Sequence, residues 1–121
     1  MANPNLVSVT SIYGKSVQEA LTTTLTNEIL ACPSDKVLKI NSIIIANIDG
    51  SSAVDCSVFI TKSGGSPIAI ASTISVPADA SLVVIDKNSG LYLMESDNIE
   101  AGAGANSDAV ITISYEEMDD A

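Results

Sequence analysis

Three features of this sequence predict an all-β domain, an antiparallel β-sandwich of about eight short strands in an Ig-like or jelly-roll-like style. The first is composition. Hydrophobic residues are 46% of the chain but aromatics only 3%, so the core must be built from Ile, Val, Leu and Ala, a β-branched mixture that favours sheets. The second is alternation between Lys36 and Ile60, where Leu38, Ile40, Ile44, Ala46 and Ile48 share the even parity and Ser42 is the one lapse. The same parity continues through Val54, Cys56, Val58 and Ile60. Strand side chains point to opposite faces in turn, so two such runs joined by Asp49-Gly50 predict a β-hairpin with one buried face. The third is punctuation: turn-forming clusters recur at roughly eight-to-twelve-residue spacing, with no convincing long helix between them.

Along the chain, Leu6 to Ile12 is extended and weakly patterned, an edge strand or an arm reaching a neighbour. Ser16-Val-Gln-Glu19 has the spacing of a capping box that opens a short helix, whereas Leu21 to Thr26 favours strand. Glu28 to Cys32 is a short strand stopped by Pro33, and Pro33-Ser-Asp35 is a turn. The expected hairpin follows, and then a turn at Ser63 to Pro67. Beyond it, Ile68, Ile70, Ile74 and Val76 share one strand face. Pro77-Ala-Asp79 ends that strand, Ser81 to Ile85 starts another, and Asp86 to Gly90 is a turn. Leu91 to Met94 and Asp97 to Ala101 are short strands, Gly102 to Ser107 a flexible loop. The last strand sets Ala109, Ile111, Ile113 and Tyr115 on one face. The expected organisation is an N-terminal arm over 1–16, a sandwich domain over 17–116 and an acidic tail over 117–121.

Charge restricts the partners. There are 15 acidic residues against five lysines, no histidine, and a net charge of -10. Such a surface repels phosphate backbones and anionic membranes, so no nucleic-acid and no membrane partner is expected. The first residues lack the basic start and apolar stretch of a secretory signal, which predicts synthesis in a cytoplasm and free thiols at Cys32 and Cys56. The longest apolar run, around Ile43 to Ala46, is too short to span a bilayer.

Reactive chemistry finds little support. Without histidine the commonest general base and metal ligand is missing, so a serine triad or a His-supported zinc site cannot be assembled. Either cysteine would lack an activating imidazole. Carboxylate pairs remain, but the aromatic platforms that sugars stack on are nearly absent. Tyr13-Gly-Lys-Ser16 echoes the end of a phosphate-binding loop, yet Val9 stands where that motif needs its first glycine. Asp86-Lys-Asn-Ser-Gly90 echoes half of an EF-hand loop with Asp97 at the twelfth place, but its sixth place is Leu91, and a plain turn accounts for it. No catalytic residue, cofactor or metal site is therefore expected, and the protein reads as a non-enzyme.

One feature exceeds a bland core. Ile43 and Ile45 stand on the parity opposite Leu38, Ile40 and Ile44, and Phe59 does the same on the following run. A face carrying these three in the open would be an unusual patch for a monomer. Ile43, Ile45 and Phe59 are thus the expected interaction residues, in contact with another copy or another protein. The competing reading is a central strand covered on both faces.

Several stretches carry a family resemblance. Leu25 to Pro33, Val37 to Ile48, Ser75-Val-Pro-Ala-Asp79, Leu91 to Ile99 and Val110 to Glu117 together span most of the chain. The pattern resembles small β-sandwich virion structural proteins encoded by tailed bacteriophages, notably the contractile-tailed phages of marine cyanobacteria. In those sequences a Glu-Gly-Asp turn usually stands where this chain has Glu95-Ser96-Asp97. The resemblance implies a non-enzymatic, multi-copy virion component, made in the host cytoplasm, and most readily a capsid decoration protein of the head. Its partners would be the major capsid, neck or tail protein together with other copies of itself, a trimer fitting a head site of local threefold symmetry. A neck or tail accessory role is the alternative, as is a small receptor- or glycan-binding module using Gly102 to Ser107 together with Ser63 to Pro67.

Overall fold

The computed structural model describes residues 11–86, 88 and 91–119. The Leu6 to Thr10 part of the expected arm, most of the Asp86 to Gly90 turn and the last two residues of the expected tail lie outside them. Among the described residues, nine strands form two antiparallel sheets: β1 (Ser11–Ala20), β2 (Asn27–Ala31), β3 (Lys36–Asn47), β4 (Val54–Thr61), β5 (Ile68–Val76), β6 (Ser81–Ile85), β7 (Leu91–Leu93), β8 (Asn98–Ala103) and β9 (Ala109–Asp119). The larger sheet runs β1-β9-β3-β6, with β7 also paired to β3; the smaller runs β2-β8-β4-β5.

The strand order decides between the two expected styles. β1 pairs with β9, β2 with β8, β3 with β6 and β7, and β4 with β5. That is one long hairpin, tip at the β4–β5 turn, rolled so that β3 also meets β9 and β4 also meets β8. The topology is that of a jelly roll.

Rolling overturns the expected hairpin. β3 lies in the larger sheet and β4 in the smaller, so Asp49-Gly50 carries the chain across the end of the sandwich. Asn47, 2% exposed, holds the crossing in place. Its side-chain amide donates to the carbonyls of Ser52 at 3.0 Å and Val76 at 2.9 Å, while its Oδ1 accepts from the Asp49 N–H at 2.9 Å. A buried amide satisfied on both sides stabilises the loop instead of costing desolvation.

The expected parity holds for half of β3. Leu38 and Ile40 pack inward, but the pairing with β9 steps from Ile40–Tyr115 to Ser42–Ser114 and leaves Asn41 as an extra residue. Such a β-bulge reverses the faces of everything beyond it. Ile43 and Ile45 consequently turn into the core, each fully buried, and Ile44 turns out, 36% exposed. In β4 the expected inward set, Val54, Cys56, Val58 and Ile60, is buried.

Other departures have equally local causes. Ser16 to Glu19 is strand and not helix, because β1 pairs residue by residue with β9 from Ser11–Asp119 to Ala20–Val110. Those pairs place 11–16 and 117–119, expected as arm and tail, within the larger sheet. Leu21 begins a loop, yet its side chain is fully buried. β5 does not show one apolar face: its register with β4 shifts twice, Thr73 takes φ 51°, and Ile68, Ile70 and Ile74 are exposed. Gly102 belongs to β8 and is buried; a Cβ there would run into Leu25 Cα and lie 2.6 Å from the Thr24 carbonyl oxygen. Ser96 takes φ 68°, a left-handed conformation that glycine adopts more readily than serine.

The core between the sheets is aliphatic, centred on Leu38, Ile40, Ile43, Ile45, Ile111 and Ile113 from one side and Val58, Ile99 and Cys56 from the other. Both cysteines are buried and free. Burial pushes the Cys32 thiol up to about 11, and burial likewise raises Cys56.

Candidate functional site

The bulge that turns Ile43 and Ile45 inward creates the surface of most interest, the outer face of the larger sheet. At Asn41 and Ser42, β3 has no edge neighbour among the described residues, since β6 pairs with it over Ile43 to Ala46 and β7 over Leu38 to Ile40. The notch opens into a cleft of ≈ 640 Å³ lined by Lys39, Asn41, Ser42, Ile44, Val83, Asp86 and Glu116. Ile44 lies between Val83 of β6 and Thr112 of β9 in the ladder, and Ala46 between Ser81 and Val110. With Val83 56% and Ile48 60% exposed, an apolar stripe runs from the cleft to the end of β3, and carboxylates edge it. It is a surface for side-chain contact.

The three expected interaction residues are not brought together. Ile43 and Ile45 are core residues of the domain itself, which corrects the expectation that they stand open for a partner. Phe59 is half-buried and pairs with Ala69 and Glu100 on the outer face of the smaller sheet, across the molecule from Ile44. Uninterrupted alternation does not foresee the bulge, because a bulge leaves no mark on hydropathy alone.

The two loops expected to form a receptor or glycan site are also separated. β4 and β8 are antiparallel neighbours, Cys56 opposite Ala103 and Thr61 opposite Asn98. The loop after β4 and the loop after β8 therefore emerge at opposite ends of the sandwich.

At the end holding residues 62–67, a buried carboxylate ties the turns together. Asp97, 2% exposed, accepts from Lys62 Nζ at 2.8 Å, the Ser63 N–H at 3.0 Å and the Met94 N–H at 3.0 Å. Its backbone carbonyl accepts from the Cys32 N–H at 2.9 Å. Burial disfavours the ionised form, but the bonds from Lys62, Met94 and Ser63 outweigh it and hold the carboxyl below its ordinary range. The twelfth place of the half EF-hand is thus committed to an ion pair. Among the described residues no group of three His, Cys, Asp or Glu is placed to hold a metal ion, and no helix is long and apolar enough to cross a membrane. The anchoring roles of Asp97 and Asn47 at the two ends were not foreseen in the sequence, where Asp97 opens a short strand at the twelfth place of the half EF-hand and Asn47 lies within the alternating run before Asp49-Gly50.

No protein-family model matches the chain, and no curated protein matches it in sequence. Among solved structures, it is similar to the VLP of the giant freshwater prawn Macrobrachium rosenbergii extra small virus, at 13% identity and TM-score 0.42, over 98% of this chain and 87% of that one. It is also similar to infectious bursal disease virus, Gx strain, at 7% identity and TM-score 0.42, over 89% of this chain and 36% of that one. The VP2 subviral particle of the same virus aligns at 10% identity and TM-score 0.39, over 91% of this chain and 33% of that one. Likeness this distant bears on neither partner nor assembly.

Proposed function

We propose that this chain is a non-enzymatic virion structural protein of a tailed bacteriophage, present in many copies and most simply a decoration protein on the outside of the head. The virion part of the reading rests on the sequence stretches that resemble such proteins. The assembly part rests on one observation, the open apolar stripe of Ile44, Val83 and Ile48 on the outer face of the larger sheet. Large apolar side chains contribute about 1.5–3 kcal/mol each when fully buried, and a shell protein presenting an apolar ridge with basic flanks would complement both the stripe and its acidic border. A surface of this charge fits a position facing outward, away from packaged DNA. Synthesis in the host cytoplasm and partnership with the major capsid, neck or tail protein belong to the same reading.

The test is a count followed by a variant. Quantitative mass spectrometry of purified virions should find hundreds of copies, on the scale of a symmetric shell. A ring-sized number would move the protein to the neck or tail, and absence would end the reading. Ile44→Ser combined with Val83→Ser should fold normally and bind particles lacking the protein at least tenfold more weakly, about 1.4 kcal/mol. Undiminished binding would clear this face.

A further inference from the structure

The two sheets end in four edges, and three of them are obstructed. β5 carries two register shifts and Thr73 at φ 51°. β2 is five residues long with a shift between Glu28 and Leu30. The third edge is divided between β6 and β7, of five and three residues. β1 differs from all of these. It has ten residues, pairs with β9 without a register shift, contains no proline, and is exposed from Ile12 to Ser16. Among the described residues, nothing pairs with its other side. A long regular edge of this kind is a template for another strand.

Which groups it offers follows from one bond. The Leu21 N–H donates to the Ala109 carbonyl at 2.8 Å. Alternation along an antiparallel ladder then points the N–H and C=O of Ala20, Gln18, Ser16 and Gly14 away from β9. We propose that this edge is where two copies of the chain join, their β1 strands pairing antiparallel about a twofold axis through Val17. Gly14 then bonds Ala20 of the second copy, and Ser16 bonds Gln18 of the second copy. The sequence is self-complementary in that register and in no neighbouring one. Lys15 falls opposite Glu19 of the second copy in a non-hydrogen-bonded pair, where Cα atoms approach to about 4.5 Å, and Val17 meets its own counterpart. Centring on Ser16 would set Lys15 against Val17 and Glu19 against Tyr13. Centring on Gln18 would set Lys15 against Leu21 and Glu19 against Val17. Copies that carry a net charge of -10 repel one another, so a seam with lysine facing glutamate twice is the favoured meeting of two such surfaces.

The inference deepens the assembly reading by naming a partner, a second copy, and stands on strand geometry and not on the outer face. Sedimentation of the full chain is expected to show a dimer. Ser16→Pro removes one outward N–H while sparing the bonds to β9, a change that edge strands tolerate, and should give a folded monomer. Lys15→Glu should weaken dimerisation at least tenfold, and adding Glu19→Lys should restore it. That rescue cannot come from the contact of Lys15 with Glu117 at 3.1 Å, which the double variant still lacks. If Ser16→Pro fails to fold, the charge swap decides. A monomeric wild-type chain, a folded Ser16→Pro dimer or a swap without rescue would each overturn the seam. A monomer that still decorates particles would sink the seam and leave the virion role standing; a dimer absent from virions would do the reverse.

Discussion

A few side chains settle what would otherwise be ambiguous, and Asp97 is the clearest. Its pKa is lowered by folding, so it contributes stability above the ordinary carboxylate value, and that contribution is lost as pH falls through the depressed folded value. Asp97→Ala removes the acceptor for Lys62 and for two backbone N–H groups, and should cost about 1–3 kcal/mol in urea melts. Asp97→Asn should in addition flatten the acid limb of stability against pH; an unchanged acid limb would show that another carboxylate controls it. Two glycines offer a second test at this scale. Gly102→Ala drives a methyl into the backbone of Thr24 and Leu25 and should cost about 1–3 kcal/mol or more. Gly14→Ala meets nothing within 4 Å and should be neutral or gain about 0.5 kcal/mol. Equal losses in thermal melts would mean that β8 does not press on the 21–26 loop.

Among the elements, β3 carries the most information. One extra residue at Asn41 gives the strand two faces in succession, a core side that passes from Leu38 and Ile40 to Ile43 and Ile45, and an outer side that delivers Ile44 to the cleft. Ile43→Asp should therefore destabilise by several kcal/mol, since it buries a charge without a partner. Ile44→Asp, on the open side, should cost about 1 kcal/mol or less. Uninterrupted alternation predicts the opposite ranking, so denaturant melts of the two variants decide whether the bulge is present. Deleting Asn41 would remove the bulge yet leave Ser42 opposite Ser114 and Ile43 opposite Ile113, so Ile43 and Ile45 should stay in the core and the variant should still unfold cooperatively in denaturant.

For the whole molecule, charge placement governs association. Lys15, Lys36 and Lys62 make ion pairs with Glu117, Asp119 and Asp97 toward one end of the sandwich. The loops 48–53, 77–80 and 104–108 at the other end carry Asp49, Asp79 and Asp108 and no lysine. Copies that meet through β1 must overcome this repulsion, and salt screens it over about 8–10 Å at physiological strength. Self-association measured by sedimentation should therefore strengthen between low and moderate salt. Binding that weakened steeply with salt would instead be the mark of a phosphate-binding surface.

What the sequence determined by itself was everything that follows from local chemistry. β-branched content specified sheets, Pro33, Pro67 and Pro77 marked strand ends, and the inward sets of β4 and β9 followed from alternation within single unbroken strands. The absence of histidine and the excess of carboxylates also bounded the chemistry before any coordinates. Only the tertiary structure could decide which strands are neighbours. Asp49-Gly50 has the composition of a hairpin turn, but the alternative of crossing to the second sheet differs from it by contacts made to β9, β8 and Val76, all far away in sequence. The same is true of Asn41, whose extra place in β3 is defined by the register of β9. Local propensity is a sum over near neighbours; pairing and burial are set by distant ones, and which residues occupy the outer face of β3 depends on the latter.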